Sequence, residues 1–575
     1  MKEKNTQEKG RIKVTTLIVV TAMACGIFCG ACAGKANQER RENEAAQALI
    51  EQAKTEAYET GKSYFYGTNE NLVDYEAAYH NFLQAVENGN IDANFYLGVL
   101  CDDYDYPKKD YEAAKVYYEA CPDNPYANIQ LGYLYWNGQG VNEDKEKAKE
   151  YFNQAIKMGC VEGHEGLATI AYEDEDYVKA MEYYTKVVEE GTEQLYVTSS
   201  MRSIGSLYLD GKGVEPDYDK AIQWFEKATL AGDSDGYNNI GVMYHDGKGV
   251  AQDYAKAMEW YQKGLDKNNA KSMVNIGTLY RDGSGVEQDG QKAIEWYQKA
   301  ALAGISAGYN NIGLMYHDGI AVEQDYAKAM EWYQKGVDKN NANSMVNIAS
   351  LYKNGSGVEQ DGQKAIEWYQ KAALAGNSGA YNYIGLMYSN GVAVEQDYAK
   401  AMEWYQKGVD KNNANSMVNI ASLYRDGSGV EQDGQKAIEW YQKAALAGNS
   451  DAYNYIGLMY NNGIAVEQDY AKAMEWYQKG VDKNNAYSMF FMASLYLDGL
   501  GVEQDGQKAI EWFEKAALAG ESKGYSAIAN MYVSGKGVEQ NLHKAAEWYQ
   551  KAVDMGDKEA VEILEQLKEL GYVSN

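Results

Sequence analysis

Five histidines, His80, His164, His245, His317 and His543, are the side chains of this 575-residue chain best suited to proton transfer or metal ligation. A metal site needs its ligands at short, defined spacing, as in His-x-x-x-His or Cys-x-x-Cys. No such grouping follows the N-terminal leader, so no metal ligand is expected. Ser350-Leu-Tyr-Lys353 has the Ser-x-x-Lys spacing in which a lysine sits beside a nucleophilic serine. The equivalent places elsewhere read Ser422-x-x-Arg425 and Ser206-x-x-Leu209, and neither Ser-Asp-Asn nor Lys-Thr-Gly occurs, so the match is coincidence. Gly247-Lys-Gly249 lacks the Gly-Lys-Ser/Thr that would open a phosphate-binding helix. Asp282-Gly-Ser284 begins like a calcium loop, but Val286 and Glu287 stand where Asp/Asn and Gly are required. All of these read as turns. A catalytic site needs a unique constellation, and this chain offers near-identical copies, so no enzyme activity and no cofactor are expected.

Composition narrows the partners. A net charge of −30 excludes nucleic acid, whose phosphates require a basic face. A well-solvated acidic surface is one reading of that charge; a cationic partner or cationic wall polymer is the other. With 45% hydrophobic residues and only four prolines, the chain is folded along most of its length. It is too long for one globular core and predicts several domains or an elongated array.

The first 33 residues stand apart. Lys2, Lys4, Lys9, Arg11 and Lys13 precede the apolar run VTTLIVVTAMACGIFCGACAG, the pattern of an export signal. Three outcomes fit: cleavage at Ala31-Cys32-Ala33, lipidation of Cys32, or an uncleaved anchor over residues 14–33. Lipidation of Cys32 is the reading taken first, although Cys29 stands where Leu or Val is usual. Beyond the leader only Cys101, Cys121 and Cys160 remain. A bridge between Cys101 and Cys121 is one arrangement, and buried free thiols, the other, are favoured.

The elements that must position any site repeat with unusual strictness. Ten of eleven tryptophans fall 36 residues apart, from Trp224 through Trp404 to Trp548. Tyr183, Tyr151, Tyr117 and Asn81 take the equivalent place in more divergent units, giving fourteen units in all. A 72-residue period is superposed, and VEQDYAKAMEWYQKGVDKNNA occurs unchanged at Val322–Ala342, Val394–Ala414 and Val466–Ala486. Each unit predicts two helices. Tyr237, Ile240, Gly241 and Tyr244 form a face of the first, and Tyr254, Ala257, Trp260, Tyr261 and Gly264 a face of the second. Asp253 suits the N-cap of the second helix. Thirteen residues before every ladder tryptophan stands a glycine, as at Gly319 and Gly391, which predicts a left-handed helix end. Eight residues after the tryptophan Gly alternates with Asn, as at Gly304 and Asn340, again what a left-handed C-cap predicts. The tryptophan itself reads as a buried packing knob.

These residues resemble the Sel1-like repeat, a relative of the tetratricopeptide repeat. The pattern stands here as Ile204-Gly205, Tyr208, Gly211-Lys-Gly213-Val214, Lys220-Ala221, Trp224 and Lys227-Ala228. Ala321, Ala393 and Ala465 depart from it by replacing the second loop glycine. The resemblance implies an all-α fold, a right-handed α-solenoid of about fourteen two-helix repeats, with residues 1–33 as leader, 34–53 as helical lead-in, 54–556 as the array and 557–575 as a capping helix. It further implies an exported scaffold that binds a protein or peptide through its concave face. A structural spacer extending from the membrane, or a binder of cell-envelope polysaccharide, is the alternative; membrane contact is expected only through the leader. Facing away from Ile240 and Tyr244 lie Asn238, Val242 and His245. Sibling units place Asn310 with His317, Asn382 with Ser389, and Asn454 with Asn461 there. This asparagine stripe is expected to line the partner groove unless its amides only cap neighbouring helices.

Overall fold

The computed structural model describes residues 33–67, 73–102 and 109–572, among which there are twenty-nine α-helices and no strand. Contacts divide the chain into two compact units, residues 1–272 and 273–575. Each is an all-α solenoid, a stack of helix pairs. The leader, with Cys32, lies outside the described residues. The lead-in has no break of its own: one helix, Ala33–Tyr66, runs through the expected boundary at residue 53.

One repeat of the second unit shows how the sequence dictates the turn. The first helix, Ala307–Asp318, ends at Gly319, whose φ of +70° closes it as expected. Gln324 then folds back to donate its side-chain amide to the His317 carbonyl (2.7 Å). The same glutamine makes the same bond seven residues back in every repeat from Gln252 to Gln540. Asp325 accepts from the Lys328 backbone N–H (3.0 Å) and caps the second helix, Tyr326–Val337. Asn340, at φ +56°, turns the chain out of that helix. Asn341 then caps the next first helix by accepting from the Ser344 N–H (2.8 Å).

The core departs from expectation in one respect. The tryptophans are half-buried, and the buried ring is the tyrosine or phenylalanine beside each of them, Tyr261, Tyr333, Tyr405 and Phe225 among others. Tyr405 lies so close to Gly385 that a Cβ there would overlap its ring, which is why the first helix keeps a small residue at that place. The tryptophan packs from outside: Trp404 stacks on Tyr381 at 6.2 Å and carries Lys407 Nζ 3.5 Å from its ring centroid. Adjacent helix positions diverge by about 100°, so only one of the two rings points at the partner helix.

The 72-residue period has a steric counterpart in the packing. From Tyr254 to Gly506 the second helices begin alternately with Tyr or Gly, and up to Tyr470 the second loop residue of the following repeat answers them. Tyr326 and Tyr398 pack against Gly357 and Gly429, where a Cβ would collide with the tyrosine Cβ. Gly362 and Gly434 instead face Ala393 and Ala465, whose carbonyls would clash with any side chain at the helix start. Those alanines hold φ of +61° and +59°, a strain of roughly 1 kcal/mol each that a tyrosine partner would make worse.

At the C-terminus the helix Lys558–Glu569 buries Ala560, Leu564 and Leu567 on the last repeat. Val561, on the same helix, is exposed. Cys101, Cys121 and Cys160 are buried free thiols.

Candidate functional site

The structure moves the asparagine stripe off the surface. Asn238, Asn310, Asn382 and Asn454 are only 4–7% exposed. A first helix packs against its own second helix and against the first helices on either side, so its buried arc is wider than the sequence face implied. Asn310 accepts from the Asn347 amide (2.9 Å), and Asn382 from Asn419 (2.7 Å), each one repeat further on. Residue 491, where Asn347 and Asn419 have their counterpart, is Phe, and Asn454 Oδ1 is left buried without a hydrogen-bond partner. The stripe joins repeats, and a partner reaches it only by opening the stack. His245 and His317 do stay accessible, at the ends of first helices, each with Nδ1 against the following aspartate and its ring edge-on to Tyr254 or Tyr326.

The same register position carries charge in two consecutive repeats, those matching residues 165–191 and 198–233. Arg202 stands 36 residues before Asn238, and Glu165 precedes Leu167-Ala168 as Asn238 precedes Ile240-Gly241. Sequence reasoning missed this pair. The turn of the Glu165 repeat, Asp174–Asp176, is four residues shorter than the 247–253 turn, which displaces Glu165 from the period counted back from the aromatic. Sliding the repeats on their first helices would have found it.

First helices position every group. Tyr133 comes from Pro125–Asn137, Glu165 from Gly163–Glu173, Ser199 and Arg202 from Gln194–Asp210, and Asp235 from Ser234–Asp246. Arg202 Nη1 donates to Asp233 Oδ2 (2.6 Å) and Asp235 Oδ2 (3.2 Å). Asp235 also pairs with Lys271 (2.7 Å) and accepts from Asn269 (2.8 Å). Burial opposes the Asp235 charge, but Lys271, Asn269 and Arg202 outweigh it and hold its carboxyl below the usual range. Arg202 is the shared wall of two clefts. One, of about 290 Å³, is lined by Tyr172, Tyr184, Ser206, Asn239 and Lys271. The other, of about 400 Å³, has Glu165 among its walls with Tyr133, Leu195, Tyr196 and Ser199.

Glu165 is the odd member. The Tyr133 hydroxyl donates to Oε2, and Ser199 Oγ lies 3.4 Å from Oε1. No cationic group of the described residues comes within 4 Å of its carboxylate, because Arg202 is taken by the two aspartates. Burial raises its pKa, with Tyr133, Ser199 and Arg202 only partly offsetting the rise. Glu162, three residues earlier, is the opposite case. Burial would raise it, yet the Glu193 and Thr192 backbone N–H groups and the Cys160 thiol bring it down to about 2. Glu162 fastens the N-terminus of the next first helix and is structural. Among the described residues no group of His, Cys, Asp and Glu has metal-binding geometry, and no helix is long and apolar enough to cross a membrane.

The family comparison agrees with the repeat boundaries seen in the structure. The Sel1 repeat family model matches residues 57–90, 91–120, 125–160, 165–191 and 198–233, then every 36 residues from 234–269 to 522–557. A protective antigen of uropathogenic Escherichia coli strains, described as displaying an SLR fold, is 29% identical over 79% of this chain and 89% of its own, with a TM-score of 0.34. A Sel1 repeat protein from Oxalobacter formigenes is 33% identical over 44% of this chain and all of its own, with a TM-score of 0.35. A search of curated proteins finds no match. With fourteen matched repeats covering most of its length, the chain belongs to the Sel1 repeat family, whose helical repeats generally serve as protein-interaction scaffolds.

Proposed function

We propose that the protein is an exported scaffold, anchored to the cell envelope through its leader, that binds a protein partner on the first-helix face around Glu165 and Arg202. The regular repeats then serve as a spacer. The observation that carries this reading is the non-repeating constellation around Arg202: two clefts and five charged side chains in one stretch of first helices. The regular array supports the spacer role, because Asn310 and Asn382 are spent on joining repeats and its tryptophans are covered by lysine, with a stacked tyrosine in alternate repeats. Export and anchoring rest on the basic-apolar leader and Cys32.

Two measurements test the proposal. The full chain, tagged at its C-terminus, is used to capture partners from envelope extracts beside the Arg202→Ala variant. Loss of the captured protein in the variant supports the assignment, and equal capture refutes it. Lipid labelling that survives Cys32→Ala removes the anchor, and fractionation away from envelope and medium removes export.

A further inference from the structure

The 400 Å³ cleft has a chemistry that the regular repeats lack. Its carboxylate, Glu165, is deep among the first helices yet open to the cleft it lines. The local charges do not balance: Arg202 and Lys271 are committed to Asp233 and Asp235, which leaves Glu165 as the carboxylate without a cation. An ionised carboxylate held away from water is costly unless a positive group pairs with it. The walls suit such a group. Tyr133 and Tyr196 offer aromatic surface to a cation and its methylenes, and Leu195, 75% exposed at the rim, offers an apolar contact for an alkyl stem.

We propose that this cleft takes the ammonium group of a lysine side chain on a basic segment of the partner, with the Glu165 carboxylate as counter-ion. The proposal rests on the scaffold reading above and names the chemistry of its partner. Ammonium fits better than guanidinium. Tyr133 already occupies Oε2, so only Oε1 is open to a strong donor, whereas a guanidinium binds best across both oxygens. The chain's charge of −30 favours approach of a basic partner but cannot by itself select this place.

The test uses the full chain and a fluorescein-labelled Gly-Lys-Gly-Lys-Gly peptide, followed by polarisation at about 150 mM salt to screen diffuse attraction. The same peptide with both lysines acetylated should bind about tenfold more weakly or worse. Glu165→Gln should reduce the lysine peptide to that level while the melting temperature holds or rises, since the amide removes a buried charge. Glu295→Gln, the same charge change at an exposed site, should leave affinity within about twofold. Leu195→Lys, at an exposed position that cannot compromise folding, should also abolish binding by offering a competing ammonium; Leu302→Lys, equally exposed, should not. Equal losses in the Glu165 and Glu295 variants, or unchanged binding in Glu165→Gln, overturn the proposal. If that happens while envelope capture still depends on Arg202, the scaffold stands and only the lysine pocket falls. If capture is also independent of Arg202, both fall.

Discussion

One register position of the first helix tells two stories in this molecule. In the regular repeats it holds Asn310 and Asn382, neutral amides closed onto Asn347 and Asn419 of the next repeat. In the two consecutive repeats before them it holds Glu165 and Arg202, charges that line clefts. A neutral amide pair is satisfied within the stack, so it adds cohesion and leaves nothing for a partner. A charge in the same place either finds a local counter-ion, as Arg202 does, or waits for one, as Glu165 does. On the reading proposed above, the near-identical repeats build length and the stretch around Glu165 and Arg202 recognises the partner.

The largest expected effect lies in the regular core. Tyr405→Ala removes a ring that is 1% exposed and should cost about 3–5 kcal/mol. Trp404→Ala, one residue away but half-buried, should cost only about 1–2 kcal/mol. Hydrogen exchange should show the Tyr405 loss confined to neighbouring repeats, because stacked units interact with their neighbours. Equal losses for the two variants would restore the tryptophan as the core knob.

Acid should next separate two carboxyls that stand three residues apart at the start of one first helix. The Glu162 carboxyl falls from an ordinary 4.5 to about 2, so its contribution is full above 4.5 and is lost as pH drops toward 2. A shift of that size corresponds to about 3 kcal/mol, and Glu162→Gln should remove that much at neutral pH together with the acid sensitivity. Glu165 has the reverse sign. Its raised pKa favours the folded state when protonated, so stability from this group declines as pH rises above 4.5, and Glu165→Gln abolishes that decline. Urea unfolding of the two variants between pH 3 and 7 checks both signs.

A smaller effect is expected at the amides. Asn382→Ala leaves the Asn419 amide without its acceptor and should cost about 1–2 kcal/mol with partner capture unchanged. Reduced capture without a stability loss would return the stripe to the binding surface. The smallest effect concerns the thiols. Burial pushes Cys101 and Cys121 up to about 11 and Cys160 to about 12, so alkylation at pH 8 should spare all three in the folded chain and reach them only on unfolding.

Much of this was legible in the residues themselves. The glycine and asparagine turns, the aspartate caps and the helix pairing follow from backbone rules, and they appear at Gly319, Asn340 and Asp325 as read. The burial of Tyr405 over Trp404 was not legible, because two adjacent aromatics on the edge of one helix face are distinguished only by the angle at which the partner helix arrives. The asparagine stripe was misread for a related reason: a periodicity identifies one buried face, whereas a stacked helix has neighbours on several sides. The cleft was hidden by the shortened turn at Asp174–Asp176, and its chemistry emerged only when Arg202 was seen paired and Glu165 was not.

Division of labour between recognition and length is tested most directly by excising residues 344–415 from the full chain. This block is one whole 72-residue period, so Tyr326 still meets a loop glycine, now Gly429, and the stack keeps its fit. The shortened protein should melt close to the parent and capture the same partner from envelope extracts at the same yield, with that capture still abolished by Arg202→Ala. A shortened protein that folds but no longer captures the partner would place recognition in the regular array and contradict the account.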